Sequence, residues 1–215
     1  MASWIVHIRI CDGLIDSLRN IDAELFAVGN IGADCGVWIN DGFSPPQTVT
    51  HFSHTGKKRD IRCEEYFDTF VSGGSGDDLP FYLGYYIHLL TDIMWVEEIL
   101  SPDYVRYAER LASNPQFIQE IKRDWYDLDK LFLREHPDFR SFRLLRGAHV
   151  DKPYHDFSTA ELINSKIAEI IDFYKPTQEN LDRNYPFLSK DRMDAFVEKA
   201  VKIITRILTE KSIIS

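Results

Sequence analysis

Cysteine is scarce in this 215-residue chain, and its three cysteines form no Cys-x-x-Cys pair. Cys11, Cys35 and Cys63 are too few and too scattered for a disulfide framework or a cysteine-ligated zinc site. No apolar run reaches the length needed to cross a bilayer, because polar side chains such as His88 and Asp92 interrupt the longest candidates. The amino-terminal stretch also lacks the basic region and the small-residue cleavage site of a secretory signal. We therefore expect a cytoplasmic protein without a transmembrane segment.

Positive charge is also in deficit, with 25 Lys and Arg against 34 Asp and Glu, which gives a net charge of −9. An acidic surface repels phosphate backbones, so we expect no stable nucleic-acid binding. The same charge argues weakly against an anionic membrane surface. It does not exclude a small phosphorylated or phospholipid-like substrate that is held by metal ions. With 44% hydrophobic and 27% charged residues, the composition is otherwise that of a globular protein.

Strand signals, internal repeats and linkers are almost absent, so we expect the whole chain, 1–215, to form a single compact all-α bundle of helices. Long glycine- and proline-containing stretches at 27–60 and 138–157 are predicted to be irregular. The periodicity of apolar residues and the capping signals predict helices over 3–18, 62–71, 79–100, 114–137, 158–174 and 189–212.

The segment LGYYIHLLTDIMW, residues 83–95, is apolar and aromatic but contains His88 and Asp92. Four residues make about one helical turn, so both side chains point from one face of the predicted helix. A buried carboxylate is costly unless it is paired. The pairing group can be a metal ion, a partner side chain or an ordinary hydrogen bond.

Three further residues offer metal-binding atoms in unusual surroundings: His7 in WIVHIRI, Asp34 in VGNIGADCG and His51 in VTHFSH. With His88 and Asp92, they make a set of nitrogen and oxygen donors suited to zinc or a similar divalent ion. Each signal is weak when taken alone. A single histidine on an apolar helix face is more often a hydrogen-bonded core residue, and a single histidine in a loop is usually an ordinary loop residue.

Four segments, SWIVHIRI, VGNIGADCG, VTHF and FYLGYYIHLLTD, occur in this order over roughly the first half of the chain. Together they resemble the zinc-dependent phospholipase C family, whose fold is shared by the fungal single-strand nucleases. The pattern FYLGxxxHxLxD is the most specific of the four, and the resemblance is loose beyond about residue 100. It implies a compact helix bundle of the phospholipase C and nuclease type. Metals would cluster at one end of a cleft, where the enzyme cleaves phosphate ester bonds.

The resemblance also implies roles for the five donors. Asp34, His51, His88 and Asp92 match the ligands of one metal. Asp92 looks like the carboxylate that bridges to a second metal, and His7 looks like the histidine of that second metal. The resemblance implies that a metal-bound hydroxide attacks phosphorus, and that Asp34 is the catalytic residue that orients this hydroxide or takes its proton.

The chain departs from the family pattern at two places. The second metal of the secreted enzymes also uses a mature amino-terminal tryptophan, but Trp4 lies inside this chain. Either the amine of Ala2, freed by removal of the initiator methionine, replaces it, or the second site is incomplete. A third metal of the family uses a histidine just after the helix segment that carries His88 and Asp92, and then a His and a Glu on a later helix. At these positions the chain offers Glu97 or Glu98 and then Asp124, Asp127 and Asp129, of which Glu98 and Asp124 are the predicted ligands. An all-oxygen site of this kind favours Mg, Mn or Ca. The acidic run RDWYDLDK, residues 123–130, can equally be a solvated helix face.

We therefore predict a metal-dependent phosphoric ester hydrolase that binds zinc or another divalent transition metal, with one or two ions and room for a third. The alternative is a structural or interaction protein of the same fold that binds metal without turnover. A metal-free helical bundle ranks below both. The basic segment GKKRD, residues 56–60, is predicted to be a solvated loop, with contact to a substrate phosphate as the alternative.

Overall fold

The computed structural model describes residues 2–40, 42–74, 76–176 and 180–214, which pack around one continuous hydrophobic core. The all-α prediction is confirmed, since helices dominate and the strands of the described part form only one antiparallel hairpin. No helix in these ranges is both long and apolar enough to cross a membrane.

The first half contains α1 (Trp4–Ile15), α2 (Ala23–Ile31), a 3₁₀ turn (Gly32–Asp34), β1 (Val37–Ile39), β2 (Gly42–Ser44), α3 (Gln47–Thr50), α4 (Cys63–Tyr66) and α5 (Leu79–Trp95). The second half contains α6 (Ser101–Arg106), α7 (Ala108–Ser113), α8 (Phe117–Glu135), α9 (Arg140–Gly147), α10 (Ala160–Phe173) and α11 (Lys190–Glu210). Two π-helical turns, Phe67–Val71 and Val96–Leu100, continue α4 and α5.

Helix α5 is buried on most of its circumference, as expected for a helix that is apolar nearly all round. It packs most extensively on α2, and two glycines allow the two backbones to touch. A Cβ atom on Gly29 would lie 2.0 Å from the carbonyl oxygen of Phe81, and one on Gly84 would lie 2.2 Å from that of Phe26. Because no side chain separates the helices here, the end of α2 and the 3₁₀ turn behind it lie directly against the middle of α5.

The prediction of an irregular segment at 27–60 is wrong in its first part. Residues 27–31 belong to α2, which begins after Asp22, whose side chain accepts hydrogen bonds from the backbone N–H groups of Glu24 and Leu25 at 3.1 and 3.0 Å. In the sequence, Gly29 suggests a helix break. In the structure it lies within α2, where its lack of a side chain allows the close contact with α5. The hairpin of β1 and β2 was also not expected.

The prediction of an irregular segment at 138–157 is wrong for residues 140–147, which form α9, and is confirmed for residues 148–157. Phe142 and Leu145 bury one face of this short helix. Its first residue, Arg140, donates a 3.1 Å hydrogen bond to Asp12 of α1, and Ser141 donates through its backbone and its hydroxyl to the same carboxylate. The helices predicted elsewhere are confirmed, with ends that differ by a few residues.

Candidate metal centre

Four elements bring the five predicted donors of the first half to one place. His7 comes from α1, Asp34 ends the 3₁₀ turn, His51 follows α3, and His88 and Asp92 lie one turn apart on α5. All five side chains are buried, and Asp34 is the most exposed of them at 5%. Their meeting depends on the contact between α2 and α5, which places the 3₁₀ turn beside His88.

A first group of potential ligand atoms contains His7, His88 and Asp92, whose nearest donor atoms all lie within 4.8 Å of one another. Nε2 of His7 lies 3.5 Å from Oδ1 of Asp92, and Nε2 of His88 lies 3.5 Å from Oδ2. The two imidazole rings are stacked, with centroids 3.9 Å apart and an angle of 2° between their planes. Two nitrogens and a carboxylate therefore face one small volume.

A second group contains Asp34, His51 and His88, again within 4.8 Å of one another. Oδ1 of Asp34 lies 3.3 Å from Nε2 of His51 and 3.9 Å from Nε2 of His88. Asp92 adjoins this group too, because its Oδ2 lies 3.6 Å from Nε2 of His51. Since Oδ1 of Asp92 faces His7 and Oδ2 faces the other two histidines, its carboxylate lies between the two groups.

Neighbouring groups orient several of these side chains. Nδ1 of His88 donates a 2.8 Å hydrogen bond to the carbonyl oxygen of Asn30, which directs its Nε2 toward Asp34 and Asp92. Nδ1 of His51 lies 2.9 Å from the hydroxyl of Thr50. The indole Nε1–H of Trp4 donates to Oδ2 of Asp34 at 2.9 Å, which leaves Oδ1 to face the histidines.

One observation, which does not depend on any family resemblance, indicates that these residues could bind a divalent ion. The Nε2 atoms of His7, His51 and His88 are fully buried, and none makes a hydrogen bond with the described part of the chain. Buried polar atoms without partners are rare, because each costs about 1–3 kcal/mol. Three such nitrogens beside two carboxylates form a donor set of the kind that zinc and similar transition metals prefer.

Burial lowers the pKa of His7 to about 4, an effect that the nearby His88 reinforces and the Asp92 carboxylate opposes. Burial likewise lowers the pKa of His51 to about 4, with the Lys58 ammonium acting in the same direction. Both imidazoles are therefore neutral at pH 7. A neutral imidazole is the form that binds a metal ion, so these two side chains could bind one without losing a proton.

The pKa values of the two carboxyl groups, Asp34 and Asp92, are also lowered, which leaves these side chains charged rather than neutral. Burial alone would raise the pKa of Asp34, but its interactions with His88, His51 and the Lys58 ammonium hold that pKa below its ordinary value. For Asp92, burial is again outweighed, chiefly by the Lys58 ammonium, so its pKa is also lowered. Both side chains are thus ionised at neutral pH, as metal ligands must be.

Two further groups contact Asp92. Nζ of Lys58 lies 2.5 Å from Oδ2, and the backbone nitrogen of Ala2 donates to Oδ1 at 3.1 Å. The Ala2 nitrogen thus contacts Asp92, the residue beside which the sequence suggests the Ala2 amine as a metal ligand. Sequence reasoning missed the role of Lys58, because nothing in GKKRD distinguishes one basic residue from the next. It also missed the Trp4 hydrogen bond to Asp34.

The structure does not bring Glu98 or Asp124 to either donor group, which corrects the predicted third site. Oε1 of Glu98 lies 2.8 Å from Nζ of Lys199. Asp124 accepts a 2.7 Å hydrogen bond from Arg183 and another of 2.7 Å from the backbone of Phe187. Its oxygens are therefore occupied by a salt bridge and a backbone contact.

No family model matches the chain, and no curated protein or solved structure is significantly similar to it. Interpretation of the centre therefore depends on its own geometry.

Proposed function

We propose that this protein is a metal-dependent phosphoric ester hydrolase similar to the zinc-dependent phospholipases C. The observation that carries the proposal is the pair of donor groups that share His88 and adjoin the Asp92 carboxylate. Such an arrangement suits two neighbouring ions better than one, because a single carboxylate has two oxygens. We take the physiological ion to be zinc or another divalent transition metal.

His7, His88 and Asp92 would hold one ion, and Asp34, His51 and the other oxygen of Asp92 the second. A bound divalent ion would supply Lewis-acid polarisation of a phosphoryl oxygen and would acidify water. The protein's own side chains would carry out the proton transfer. Asp34 is ionised, is fixed at Oδ2 by the indole of Trp4, and is the most exposed of the five donors. These properties suit a group that takes a proton from the attacking water at Oδ1.

The substrate class follows from charge. Divalent ions attract an anionic ester, while a net charge of −9 disfavours long polyanions. We therefore infer a small phosphate monoester or diester as substrate, and a phospholipid headgroup belongs to the same chemical class.

The first test is the metal content per chain, measured by elemental analysis of protein purified without chelators or nickel affinity resin. We expect about two equivalents of a divalent transition metal. The loaded protein should hydrolyse bis-p-nitrophenyl phosphate or p-nitrophenyl phosphate, and dialysis against a chelator should abolish this activity reversibly. A metal content at background, persisting after incubation with excess zinc or manganese, would contradict the proposal.

A second function is supported by one observation, the depth of the centre. His7, His88 and Asp92 have no exposed surface, as in closed structural sites where protein ligands fill every coordination position. In this case the protein would bind one ion, which would raise the melting temperature without conferring hydrolysis. One equivalent of metal with no activity on either ester would favour this structural role.

A further inference from the structure

Lys58 makes the closest contact to the metal centre of any side chain outside the five donors. Its Nζ lies 2.5 Å from Oδ2 of Asp92, and its side chain is only 9% exposed. The same Oδ2 atom lies 3.6 Å from Nε2 of His51 and 3.5 Å from Nε2 of His88. The ammonium thus shares the carboxylate oxygen that these two histidines face.

The loop that carries Lys58 is anchored on both sides of it. Before Lys58, the backbone and hydroxyl of Thr55 donate to Oδ2 of Asp60 at 3.0 and 2.6 Å. After Lys58, the guanidinium of Arg59 donates to the hydroxyl of Ser101 at 2.7 Å. The loop therefore holds the Lys58 backbone beside the centre, while the four-carbon side chain has the rotatable bonds needed to move its ammonium if the contact with Asp92 is broken.

An ammonium and a divalent cation cannot both occupy the region next to Oδ2 of Asp92, because like charges at contact distance repel strongly where water is excluded. A metal ion that enters this region must push the ammonium away from Asp92. Since the loop is anchored, the ammonium can move by side-chain rotation but stays within reach of the centre. An anion bound at the metal would offer the displaced ammonium a new partner.

We propose that Lys58 is a resident cation of the centre that a metal ion displaces from Asp92 and that then contacts the phosphate oxygen of a bound substrate. In the metal-free protein it neutralises Asp92. In the metal-loaded protein it is a substrate-binding residue. The inference depends on the proposed function, because it requires a metal ion beside Asp92.

The test uses Lys58→Gln, which removes the charge at similar length, with Lys57→Gln as the matched control because Lys57 is exposed and carries the same charge. Zinc affinity is measured on the metal-free proteins by competition with a chromophoric chelator. Inorganic phosphate affinity is then measured by calorimetry on the zinc-loaded proteins. We expect Lys58→Gln to bind zinc on the order of tenfold more tightly and phosphate on the order of tenfold more weakly. Lys57→Gln should change neither affinity by more than about twofold.

Opposite changes in the two affinities support the proposal. Unchanged zinc affinity, or affinities for zinc and phosphate that rise or fall together, would overturn it while leaving the metal centre intact. Absence of zinc binding by both wild type and Lys58→Gln would overturn the proposed function as well. Lys58→Arg keeps the charge, and it should retain phosphate affinity within about threefold of the wild type. This second variant also keeps the test informative if loss of the Asp92 partner prevents Lys58→Gln from folding.

Discussion

The imidazole rings of His7 and His88 lie parallel, with centroids 3.9 Å apart, although the two residues are 81 positions apart in the chain. Parallel contact of this kind is unfavourable for two imidazolium ions, and burial lowers the pKa of His7 to about 4. The stack therefore contains a neutral His7 ring, and the Nε2 atoms of both rings make no hydrogen bond with the described residues. Side by side, the two rings direct their Nε2 atoms toward the Asp92 carboxylate, each at 3.5 Å.

His88→Ala should remove metal from the protein. His88 would bind one ion together with His7 and Asp92, and its Nε2 also adjoins the group around Asp34, so its loss removes one ligand and disturbs the second group. Truncation of a fully buried side chain should also cost about 2–4 kcal/mol of unfolding free energy. Elemental analysis and thermal unfolding with and without zinc measure the two effects. His54→Ala, at an exposed loop position, is the control and should keep the wild-type metal content. Wild-type metal content in His88→Ala would contradict the assignment of His88 as a metal ligand.

Asp34→Asn should spare the fold and abolish phosphodiesterase activity. The amide can still accept the Trp4 hydrogen bond, but it cannot take a proton, so we expect the rate to fall by at least about 100-fold. Initial rates on bis-p-nitrophenyl phosphate, at matched metal content, measure this loss. Asp138→Asn, whose side chain is 92% exposed, should leave the rate unchanged. If Asp34→Asn keeps its activity, another group must accept the proton.

Gly84→Ala should disturb the metal centre through the backbone. Its Cβ would lie 2.2 Å from the carbonyl oxygen of Phe26, so α2 and α5 must separate, at a cost of about 3 kcal/mol. That separation would also stretch the His88–Asn30 hydrogen bond and lower metal affinity. Gly73→Ala, whose Cβ would meet nothing within 4 Å, should change unfolding free energy by less than about 0.5 kcal/mol. Equal effects of the two substitutions would argue against a tight contact.

Asp129 should make the stability of the protein depend on pH. Burial raises its pKa from 3.8 to about 7, although the hydroxyls of Tyr174 and Ser3 donate to it and act in the opposite direction. The folded protein therefore holds a proton that the unfolded chain releases. The resulting stability is fully present below pH 4 or so and is lost as the pH rises through about 7.

Asp129→Asn should remove this dependence. Relative to the variant, the wild type should lose up to about 4 kcal/mol of unfolding free energy between pH 4 and pH 8. Urea titrations of metal-free protein at several pH values measure the difference. Because His7 and His51 titrate in both proteins, their contributions cancel. A constant difference across this range would show that Asp129 is ionised in the folded protein at all these pH values.

The helical part of the fold could be predicted because periodicity is a property of residues close in sequence. The same reasoning failed at Gly29, where a glycine was interpreted as a break although it serves the contact of α2 with α5. It also failed for Asp124, whose carboxylate was a plausible ligand until its salt bridge with Arg183, 59 residues away, was visible. Sequence does not show which cation neutralises which carboxylate.

By itself, the sequence determined the helical class of the protein, the types of donor available and the one-turn pairing of His88 with Asp92. These follow from composition and from spacings of a few residues. Only the tertiary structure decided that His7 stacks on His88, that Trp4 donates to Asp34 and that Lys58 contacts Asp92. Contacts over such separations depend on how helices pack, and that packing depends on the combined fit of many side chains and glycines rather than on any local pattern.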